Sequence, residues 1–222
     1  MYKIAIDGPS GAGKSTLAKA VAAKLGCVYV DTGALYRTVG LYMYRHEIDP
    51  QNADAVTASL ADFSVKVAYE DGTQHVYLNG EDVSQAIREH IISRYASLVS
   101  AIPAVRAFLL DLQRDIAKTN SVIMDGRDIG TVIFPDAEVK IFLVANAETR
   151  AMRRCRELEE KGQTVSYETV LHDIRERDAQ DSGREIAPAV AAPDAIVLDN
   201  SGMDLDACVD AVLKIFEEKI HE

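Results

Sequence analysis

A glycine-rich segment near the N-terminus carries the clearest chemical signal in the sequence. Residues 8–16 read GPSGAGKST, which matches the pattern G-x-x-x-x-G-K-[ST] between an apolar run and a helix-forming run. The glycines allow backbone conformations that a Cβ disfavours, so the N–H groups of the segment can turn onto phosphate oxygens. Lys14 would reach the β- and γ-phosphates of a nucleoside triphosphate, and the Ser15 hydroxyl would ligate Mg²⁺. The predicted ATP-binding residues of this phosphate loop are Gly8, Pro9, Ser10, Gly11, Ala12, Gly13, Lys14, Ser15 and Thr16.

A second polar segment, residues 125–128 with the sequence DGRD, follows an apolar run in the middle of the chain. Asp125 stands where an acidic residue commonly helps to hold Mg²⁺ in phosphate-loop proteins, either directly or through water. Polar residues at the carboxyl end of a strand are well placed for a ligand site. The segment therefore predicts a metal-binding and phosphate-binding position beside the phosphate loop.

Arginines concentrate in two predicted helices of the C-terminal half. Arg177, Asp181 and Arg184 have i, i+4, i+7 spacing, and on one helix they would share a face. The preceding helix, predicted at 147–160, contains four arginines, and we expect some of them to form a solvated face with nearby glutamates. Two arginine-rich helices joined around Gly162 predict a mobile lid that brings positive charge to transferring phosphates.

The elements that must position these residues alternate between apolar strands and helices. Core strands are predicted at 2–7, 28–30, 121–125, 139–144 and 195–198. Helices are predicted from about 17 to 25, from 32, at 52–60, at 84–101 with a break, and at 103–118, 147–160, 167–181 and 205–219. Buried strands alternating with helices predict an α/β protein with a five-stranded parallel sheet covered on both faces. The phosphate loop and the DGRD segment then lie at carboxyl ends of strands, where such sheets bind ligands.

One part of the chain has a different periodicity. Residues 64–69 and 75–78 alternate between apolar and polar types around turn residues 70–73. Asn79-Gly80 is a second turn signal before a third short strand near Asp82-Val83. These features predict a small antiparallel β insertion beside the parallel core.

The composition limits the classes of function. The chain has 222 residues, 48% of them hydrophobic, and a formal net charge of −11. An acidic balance disfavours nucleic-acid binding, which normally requires a basic surface. The three cysteines have neither disulfide nor zinc spacing, and no segment has a signal-peptide or membrane-spanning pattern. We therefore expect a monomeric cytoplasmic protein that binds small anionic ligands, with no nucleic-acid or membrane partner.

The segments GPSGAGKST, DTGALYR, DGRDIG and RERDAQDSGR together resemble those of bacterial-type cytidylate kinases, a branch of the nucleoside monophosphate kinases. The resemblance extends from Tyr2 to the closing helix. It implies the P-loop NTPase fold and Mg²⁺-dependent transfer of the γ-phosphoryl group of ATP to CMP or dCMP, in pyrimidine nucleotide metabolism. It also implies a core at about 1–30, 102–146 and 186–222, a monophosphate-binding region with the insert at about 31–101, and a lid at about 147–185.

The resemblance implies that Ser97, Arg106 and Asp128 read the acceptor base. Cytosine presents an N4 amino donor beside the N3 and O2 acceptors, so a carboxylate next to an arginine suits it. Uracil would instead place a carbonyl against Asp128, which implies a preference for cytosine.

The remaining acceptor contacts are also implied by the resemblance. Arg37, Arg127 and Arg184 match positions around the α-phosphate of the monophosphate, and Thr32 matches a hydroxyl position nearby or a helix N-cap. Further matches are Arg177 and Asp181 for the ribose and Arg153 for a lid contact to ATP. The catalytic residues implied in this way are Lys14, Arg127 and Arg184.

Three other interpretations of the sequence are weaker. The nearest is a phosphate-loop kinase for AMP, UMP or a non-nucleotide alcohol. A switch-type GTP-binding module is disfavoured because the sequence has no Asn-Lys-x-Asp for reading guanine. A nucleic-acid-binding module is disfavoured by the acidic balance.

Overall fold

The structure is a computed structural model that describes residues 1–70, 72–160 and 162–220. It consists of two compact units, one formed by Met1–Cys27 with Ser121–Glu222 and the other by Val28–Asn120. The predicted turn at 70–73 includes Asp71, which lies outside the described residues. The division into core, monophosphate-binding region and mobile lid stays a prediction.

The helices and strands follow the predicted order. The strands are β1 (Lys3–Asp7), β2 (Val28–Asp31), β3 (Val65–Glu70), β4 (Thr73–Leu78), β5 (Glu81–Asp82), β6 (Val122–Gly126), β7 (Val139–Val144) and β8 (Ile196–Asp199). The helices are α1 (Lys14–Leu25), α2 (Thr32–Arg45), α3 (Ala53–Ser59), α4 (His90–Val99), α5 (Pro103–Ile116), α6 (Ala147–Glu160), α7 (Tyr167–Ser182) and α8 (Leu205–Ile220).

The two sheets confirm the predicted fold class. The five-stranded parallel sheet has the order β2-β6-β1-β7-β8, and the three-stranded antiparallel sheet has the order β3-β4-β5. Within the first unit, β1 pairs with β6 from Lys3–Val122 to Asp7–Gly126, and with β7 from Ile4–Val139 to Asp7–Phe142. The side chains of Ile4, Ala5 and Ile6 are completely buried, as a strand covered on both faces requires.

The second unit has its own apolar core. Helix α2 packs against α4, α5 and the inner side of β4. The buried side chains of this core include Leu35, Met43, Val76, Ile92 and Leu109. Each unit therefore has its own packed elements, which can fix the positions of polar side chains at the surface of that unit.

Two short turns differ from the predictions. The predicted helical segment at 84–101 begins with a 3-10 turn at Ala86–Arg88, and α4 starts only after Glu89, whose backbone is extended. A π-helical turn at Ile129–Ile133, which the sequence pattern did not indicate, follows the DGRD segment.

None of the helices in the described part of the chain has, by itself, both the length and the apolar composition needed to span a membrane. Helices α4 and α5 meet the length and hydropathy criteria only as a pair, which is bent by 103°.

The phosphate loop leaves β1 through a close backbone contact. Gly8 has a φ of 144°, and a Cβ on this residue would overlap the carbonyl oxygen of Leu143 in β7, well inside van der Waals contact. That oxygen belongs to the backbone of a core strand, so it cannot move aside as a flexible side chain could. Glycine is therefore required here both for its conformation and for its lack of a side chain.

The last residue of β1 fixes the start of the π-helical turn. Asp7 is only 4% exposed, and its Oδ1 and Oδ2 accept hydrogen bonds from the N–H groups of Ile129 at 2.8 Å and Gly130 at 2.7 Å. Burial raises the pKa of Asp7 to about 6, with a further contribution from nearby Asp128, although the two N–H donors and Lys14 oppose the rise. Asp7 thus connects β1 to the segment that follows β6.

We predict that Gly8→Ala destabilises the protein by roughly 3 kcal/mol or more, because a backbone clash adds to the conformational strain. Gly26→Ala is the matched control, since Gly26 has a φ of 64° and a methyl group there would have no neighbour within 4 Å among the described residues. This control should cost only about 1 kcal/mol. Urea unfolding of both variants measures the difference, and equal losses would contradict the predicted clash.

We also predict a pH-dependent contribution from Asp7. Because its pKa is raised in the folded protein, this residue contributes stability below about pH 4 that is lost as the pH rises through about 6. The free energy of unfolding of the wild type minus that of Asp7→Asn should fall by on the order of 3 kcal/mol between pH 4 and pH 7. Urea unfolding across this range is the measurement, and a flat or rising difference would show that the raised pKa is wrong.

Candidate active site

The phosphate loop joins β1 to α1 in a conformation that leaves N–H groups at the start of the helix open to an anion. Gly11 and Gly13 have φ values of 74° and 89°. Gly13 is the N-cap of α1, and it provides no side-chain hydrogen bond to the first turn. The helix N-terminus and the adjoining loop therefore present backbone donors and the positive end of the helix dipole.

Lys14 lies within the loop with its side chain almost fully buried. The residue is 5% exposed, and its Nζ donates to the carbonyl oxygen of Pro9 at 2.8 Å. Burial is the main cause of a pKa well below the usual lysine value, and the charge of Arg127 lowers the pKa further, whereas Asp125 and Asp7 oppose both effects. A bound polyphosphate would supply the negative charge that favours the protonated amine.

Ser15 and Asp125 form the predicted metal-binding pair. The Ser15 hydroxyl donates to Asp125 Oδ2 at 2.8 Å, and Asp125 is buried near the carboxyl end of β6. A hydroxyl beside a carboxylate suits Mg²⁺, which is typically bound by one or two protein oxygens together with substrate phosphates. The described residues contain no cluster of three or more His, Cys, Asp or Glu side chains that could hold a metal by themselves.

Three arginines converge on the buried carboxylate of Asp181. Arg127 Nε donates to Oδ2 at 2.9 Å, Arg184 donates to Oδ1 at 2.5 Å, and Arg177 Nε lies 3.9 Å from Oδ2. Burial by itself would raise the pKa of Asp181, but the three guanidinium groups hold the pKa below its usual value. The structure thus brings Arg177, Asp181 and Arg184 together, although not on one helix as the spacing suggested, and it adds Arg127 to them.

Arg184 corrects the prediction of a shared helical face. Helix α7 ends at Ser182, and Gly183 stands between it and Arg184. The i, i+4, i+7 spacing therefore does not apply to Arg184, which reaches Asp181 from the segment after the helix. A glycine at the C-terminal end commonly stops a helix, which agrees with the predicted end of this helix at residue 181.

The four arginines of α6 differ in their environments. Arg154 pairs with Glu157 at 3.0 Å on the surface, and Arg156 is exposed, as expected for a solvated face. Arg153 instead donates to the side chain and the backbone carbonyl of Asn200 at 3.2 and 2.9 Å. Arg150 is buried, so it does not belong to the solvated face that was expected for some of these arginines.

A cavity of about 440 Å³ adjoins the phosphate loop within the first unit. Gly13, Ser15 and Thr16 line it from the loop side, together with Arg153 from α6. The opposite lining comes from the segment after β8 and the start of α8, where the sequence indicated no site residues: Asn200, Asp204 and Cys208.

Asp128 begins the π-helical turn. Its backbone carbonyl accepts hydrogen bonds from the N–H groups of Val132 at 2.9 Å and Ile133 at 3.2 Å, and its side chain is buried. The neighbouring Arg127 is oriented both by Asp181 and by the carbonyl oxygen of Gly126, at 3.2 Å. The π-helical turn thus holds Asp128, the last residue of the DGRD segment, in a defined position.

In the second unit, polar contacts surround the first turn of α2. Asp31 is the N-cap, accepting from the N–H of Ala34 at 2.9 Å, so the cap is not Thr32, which is the first helical residue and is buried. Arg37 and Arg88 bind the same carboxylate at 2.8 and 3.2 Å. Burial would raise the pKa of Asp31, but these two arginines lower it. Arg88 was not predicted, because it lies in a 3-10 turn without a recognisable pattern.

Ser97 and Arg106 lie close to the junction between α4 and α5. The carbonyl oxygen of Ser97 accepts a hydrogen bond from the Ser100 hydroxyl at 2.8 Å. Arg106 donates to the Ser100 carbonyl oxygen at 3.0 Å, and its guanidinium lies 5.6 Å from the centre of the Tyr36 ring. The structure therefore brings these two predicted residues into one region of the second unit.

Solved structures resemble the fold at low sequence identity. A crystal structure of an uncharacterized protein from Eubacterium ventriosum has a TM-score of 0.55 at 15% identity, with 98% of this chain and 99% of that chain covered. The shikimate kinase from Bacteroides thetaiotaomicron has a TM-score of 0.50 at 12% identity, with coverage of 97% and 98%. These likenesses concern the fold alone.

Sequence comparisons are much more specific. A family model described as cytidylate kinase matches residues 4–218. The cytidylate kinase of Fervidobacterium nodosum is 48% identical over 217 residues, which cover 98% of this chain and 97% of that protein. Those of Caldicellulosiruptor saccharolyticus and Klebsiella pneumoniae are 47% and 46% identical, each covering 98% of this chain and 96% of the relative. The chain therefore belongs to the cytidylate kinase family of ATP-dependent nucleoside monophosphate kinases.

Proposed function

We propose that this chain transfers the γ-phosphoryl group of ATP to CMP or dCMP, releasing ADP and CDP or dCDP. The observation that carries the reaction class is the phosphate loop with a buried Lys14 beside the Ser15–Asp125 pair. The acceptor class is supported by the family match and by curated relatives named cytidylate kinase. These relatives do not favour UMP or AMP as the principal acceptor.

The donor nucleotide would be bound by the phosphate loop and the adjoining cavity. Backbone donors of residues 8–16 would hold the β- and γ-phosphates, with Lys14 as the cation that follows the transferred group. The cavity beside the loop has room for the remainder of ATP, and Arg153 lines it. Arg153 is therefore the arginine of α6 that we assign to ATP.

The residues present fit Mg²⁺ as the metal of the reaction. Ser15 and Asp125 would hold the ion, Asp125 directly or through water, because both offer hard oxygen ligands within one hydrogen bond of each other. When bound, Mg²⁺ would neutralise negative charge on the phosphate oxygens.

The α-phosphate of the acceptor would be held mainly by arginines. We assign Arg37 and Thr32 of α2, together with Arg127 and Arg184, to this phosphate. The attacking oxygen is already anionic, so the step needs positioning and charge neutralisation rather than a strong general base. Prior hydrogen bonds to Asp181 limit the rotamers of Arg127 and Arg184, which reduces the entropy lost on binding.

The nucleoside of the acceptor would be read by further contacts. Asp128 would accept from the N4 amino group, while Arg106 and Ser97 would donate to the acceptor atoms of cytosine. Arg177 and Asp181 would contact the ribose. A buried carboxylate favours an amino group over a carbonyl, because the mismatched pair leaves acceptors facing each other.

We further propose that the enzyme acts in the cytoplasm as a monomer, without nucleic-acid or membrane partners. Cys27, Cys155 and Cys208 are all free thiols, which is the usual state in a reducing compartment. The net charge of −11 supports the absence of a nucleic-acid partner.

We predict that a coupled ADP-release assay with ATP will give the highest kcat/KM for CMP and dCMP, a lower value for UMP and the lowest for AMP. Lys14→Met, which keeps the apolar stem and removes the charge, should lower kcat with CMP by at least about a hundredfold. A preference for AMP would reject the proposed acceptor. Near-normal turnover by Lys14→Met would reject the proposed donor site.

We predict that Asp128→Asn narrows the preference for CMP over UMP by about tenfold or more in kcat/KM, because an amide can donate to the uracil carbonyl. The control is Asp136→Asn, which alters an exposed carboxylate paired with Lys3 and should leave the ratio unchanged. Measuring both acceptors with saturating ATP gives the ratio directly. An unchanged ratio in Asp128→Asn would assign base reading to other residues.

A further inference from the structure

Two side chains from other parts of the chain donate hydrogen bonds to backbone carbonyl groups of the phosphate loop. The two carbonyl groups are two residues apart. Arg150 Nη1 donates to the carbonyl oxygen of Ser10 at 2.9 Å. Asn200 Nδ2 donates to the carbonyl oxygen of Ala12 at 2.8 Å. Arg150 and Asn200 are 4% and 6% exposed, so both hydrogen bonds are shielded from water. Neither residue was among the site residues predicted from the sequence.

In a trans peptide, fixing the carbonyl group of one residue also fixes the orientation of the N–H group of the next residue. The C=O of one residue and the N–H of the following residue point to opposite sides of the same planar unit. Both peptide units here are trans. Holding the Ser10 carbonyl toward Arg150 therefore turns the Gly11 N–H away from Arg150. Holding the Ala12 carbonyl toward Asn200 likewise turns the Gly13 N–H to the opposite side.

Each of the two side chains is itself fixed by further contacts. Arg150 Nε donates to the carbonyl oxygen of Ala145 at 2.9 Å, and its two terminal nitrogens bind Asp178 of α7 at 3.0 and 2.5 Å. Arg153 donates to Asn200 Oδ1, which directs the opposite end of the amide, Nδ2, toward Ala12. These contacts leave Arg150 and Asn200 little freedom to release the carbonyl groups.

The two side chains also lie beside the glycines whose N–H groups they orient. A Cβ on Gly11 would lie 3.5 Å from Arg150 Cβ, and a Cβ on Gly13 would lie 3.6 Å from Asn200 Nδ2. These are ordinary van der Waals distances for an added methyl group, so the support of the loop comes from the two hydrogen bonds to its carbonyl groups. Glycine residues lose the most conformational freedom on ordering, so an external support of this kind reduces the ordering that ATP binding must supply.

We propose that Arg150 and Asn200 are positioning residues for the phosphoryl donor. They hold the carbonyl groups of Ser10 and Ala12 away from the phosphates of ATP, so that the N–H groups of Gly11 and Gly13 face these phosphates. The inference rests on the donor half of the proposed function and is independent of the acceptor. It predicts losses that depend on the phosphates of the ligand, because both residues hold the loop. Arg150 gives the cleaner test, since Asn200 also lines the cavity beside the loop.

The test is equilibrium binding of ATP, ADP, adenosine and CMP to the full chain, each measured directly by isothermal titration calorimetry. Asn200→Asp replaces the donor that faces the Ala12 carbonyl with an acceptor, and Arg150→Lys retains the charge but not the fork of donors. We expect each variant to raise the Kd of ATP by about tenfold, that of ADP by less, and that of CMP by under about twofold. Arg150→Lys, whose side chain does not line the cavity, should also change the Kd of adenosine by under about twofold. Asp178→Asn alters a residue that contacts neither the loop nor the cavity but binds Arg150. It should raise the Kd values of the ligands in the same rank order as Arg150→Lys, by smaller factors.

Matched controls separate the loop contacts from the substitutions themselves. Asn120→Asp alters another asparagine whose Nδ2 donates to a backbone carbonyl, that of Ile116 at 3.1 Å. Arg156→Lys alters an exposed arginine on the same helix as Arg150. Both controls should keep the ATP affinity of the wild type.

Two results would overturn the proposal. One is an ATP affinity within twofold of the wild type in both Asn200→Asp and Arg150→Lys. The other is an equal loss for adenosine, CMP and ATP, which would indicate a general loss of folded protein. A wild-type chain that binds ATP but does not phosphorylate CMP would reject the acceptor assignment only, because these measurements do not use phosphoryl transfer.

Discussion

The close contact between the backbone of Gly8 and the Leu143 carbonyl is the constraint on which the rest of the site depends. It fixes the point at which the chain leaves β1, because no side chain fits between the two strands there. The preceding residue, Asp7, uses both carboxylate oxygens to hold the start of the π-helical turn. One strand end therefore sets both the phosphate loop on its C-terminal side and the π-helical turn that follows the DGRD segment. A small displacement of β1 relative to β7 would move both segments together.

Electrostatics in the first unit differ sharply from those of the whole chain. The protein carries a net charge of −11, yet cationic groups lie close enough around the phosphate loop to perturb one another. The pKa of Lys14 is lowered by burial and by Arg127, while three guanidinium groups lower the pKa of Asp181. Positive charge is thus concentrated where the phosphates are proposed to bind, and bound phosphate would relieve the repulsion. An acidic exterior with a local cationic site favours small phosphorylated ligands over polyanionic chains.

Much of the fold could be predicted because its signals are local. Buried parallel strands read as continuous apolar runs, and β7 and α6 have the predicted bounds. The phosphate loop was predicted because its conformation and chemistry are encoded within nine consecutive residues. The π-helical turn was not predicted, because a single turn shows neither the helical nor the strand periodicity of apolar residues. The shared helical face of Arg177, Asp181 and Arg184 was wrong, because Arg184 lies beyond Gly183, which ends α7.

Long-range contacts to backbone atoms account for the residues that the sequence pattern could not assign. Arg150 is one of four arginines in an amphipathic helix, and helical periodicity does not distinguish it from Arg154 or Arg156. What distinguishes it is a carbonyl oxygen of Ser10, 140 positions away in the chain. A backbone carbonyl belongs to every residue type, so no side-chain pattern records that it is needed as an acceptor. The same reasoning applies to Asn200 and the carbonyl of Ala12.

The phosphate-loop motif therefore specifies which conformations the backbone can adopt, but not how its N–H groups are oriented. Glycine at positions 11 and 13 permits the positive φ values seen here, but an unsupported glycine-rich loop would sample many orientations of its N–H groups. Directed donors require something to hold the carbonyl groups on the other side of each peptide plane. In this chain that support comes from the segments that follow β7 and β8. Binding strength at a phosphate loop thus depends on residues outside the motif, and two chains with identical motifs can differ in how well their loops are organised for a triphosphate.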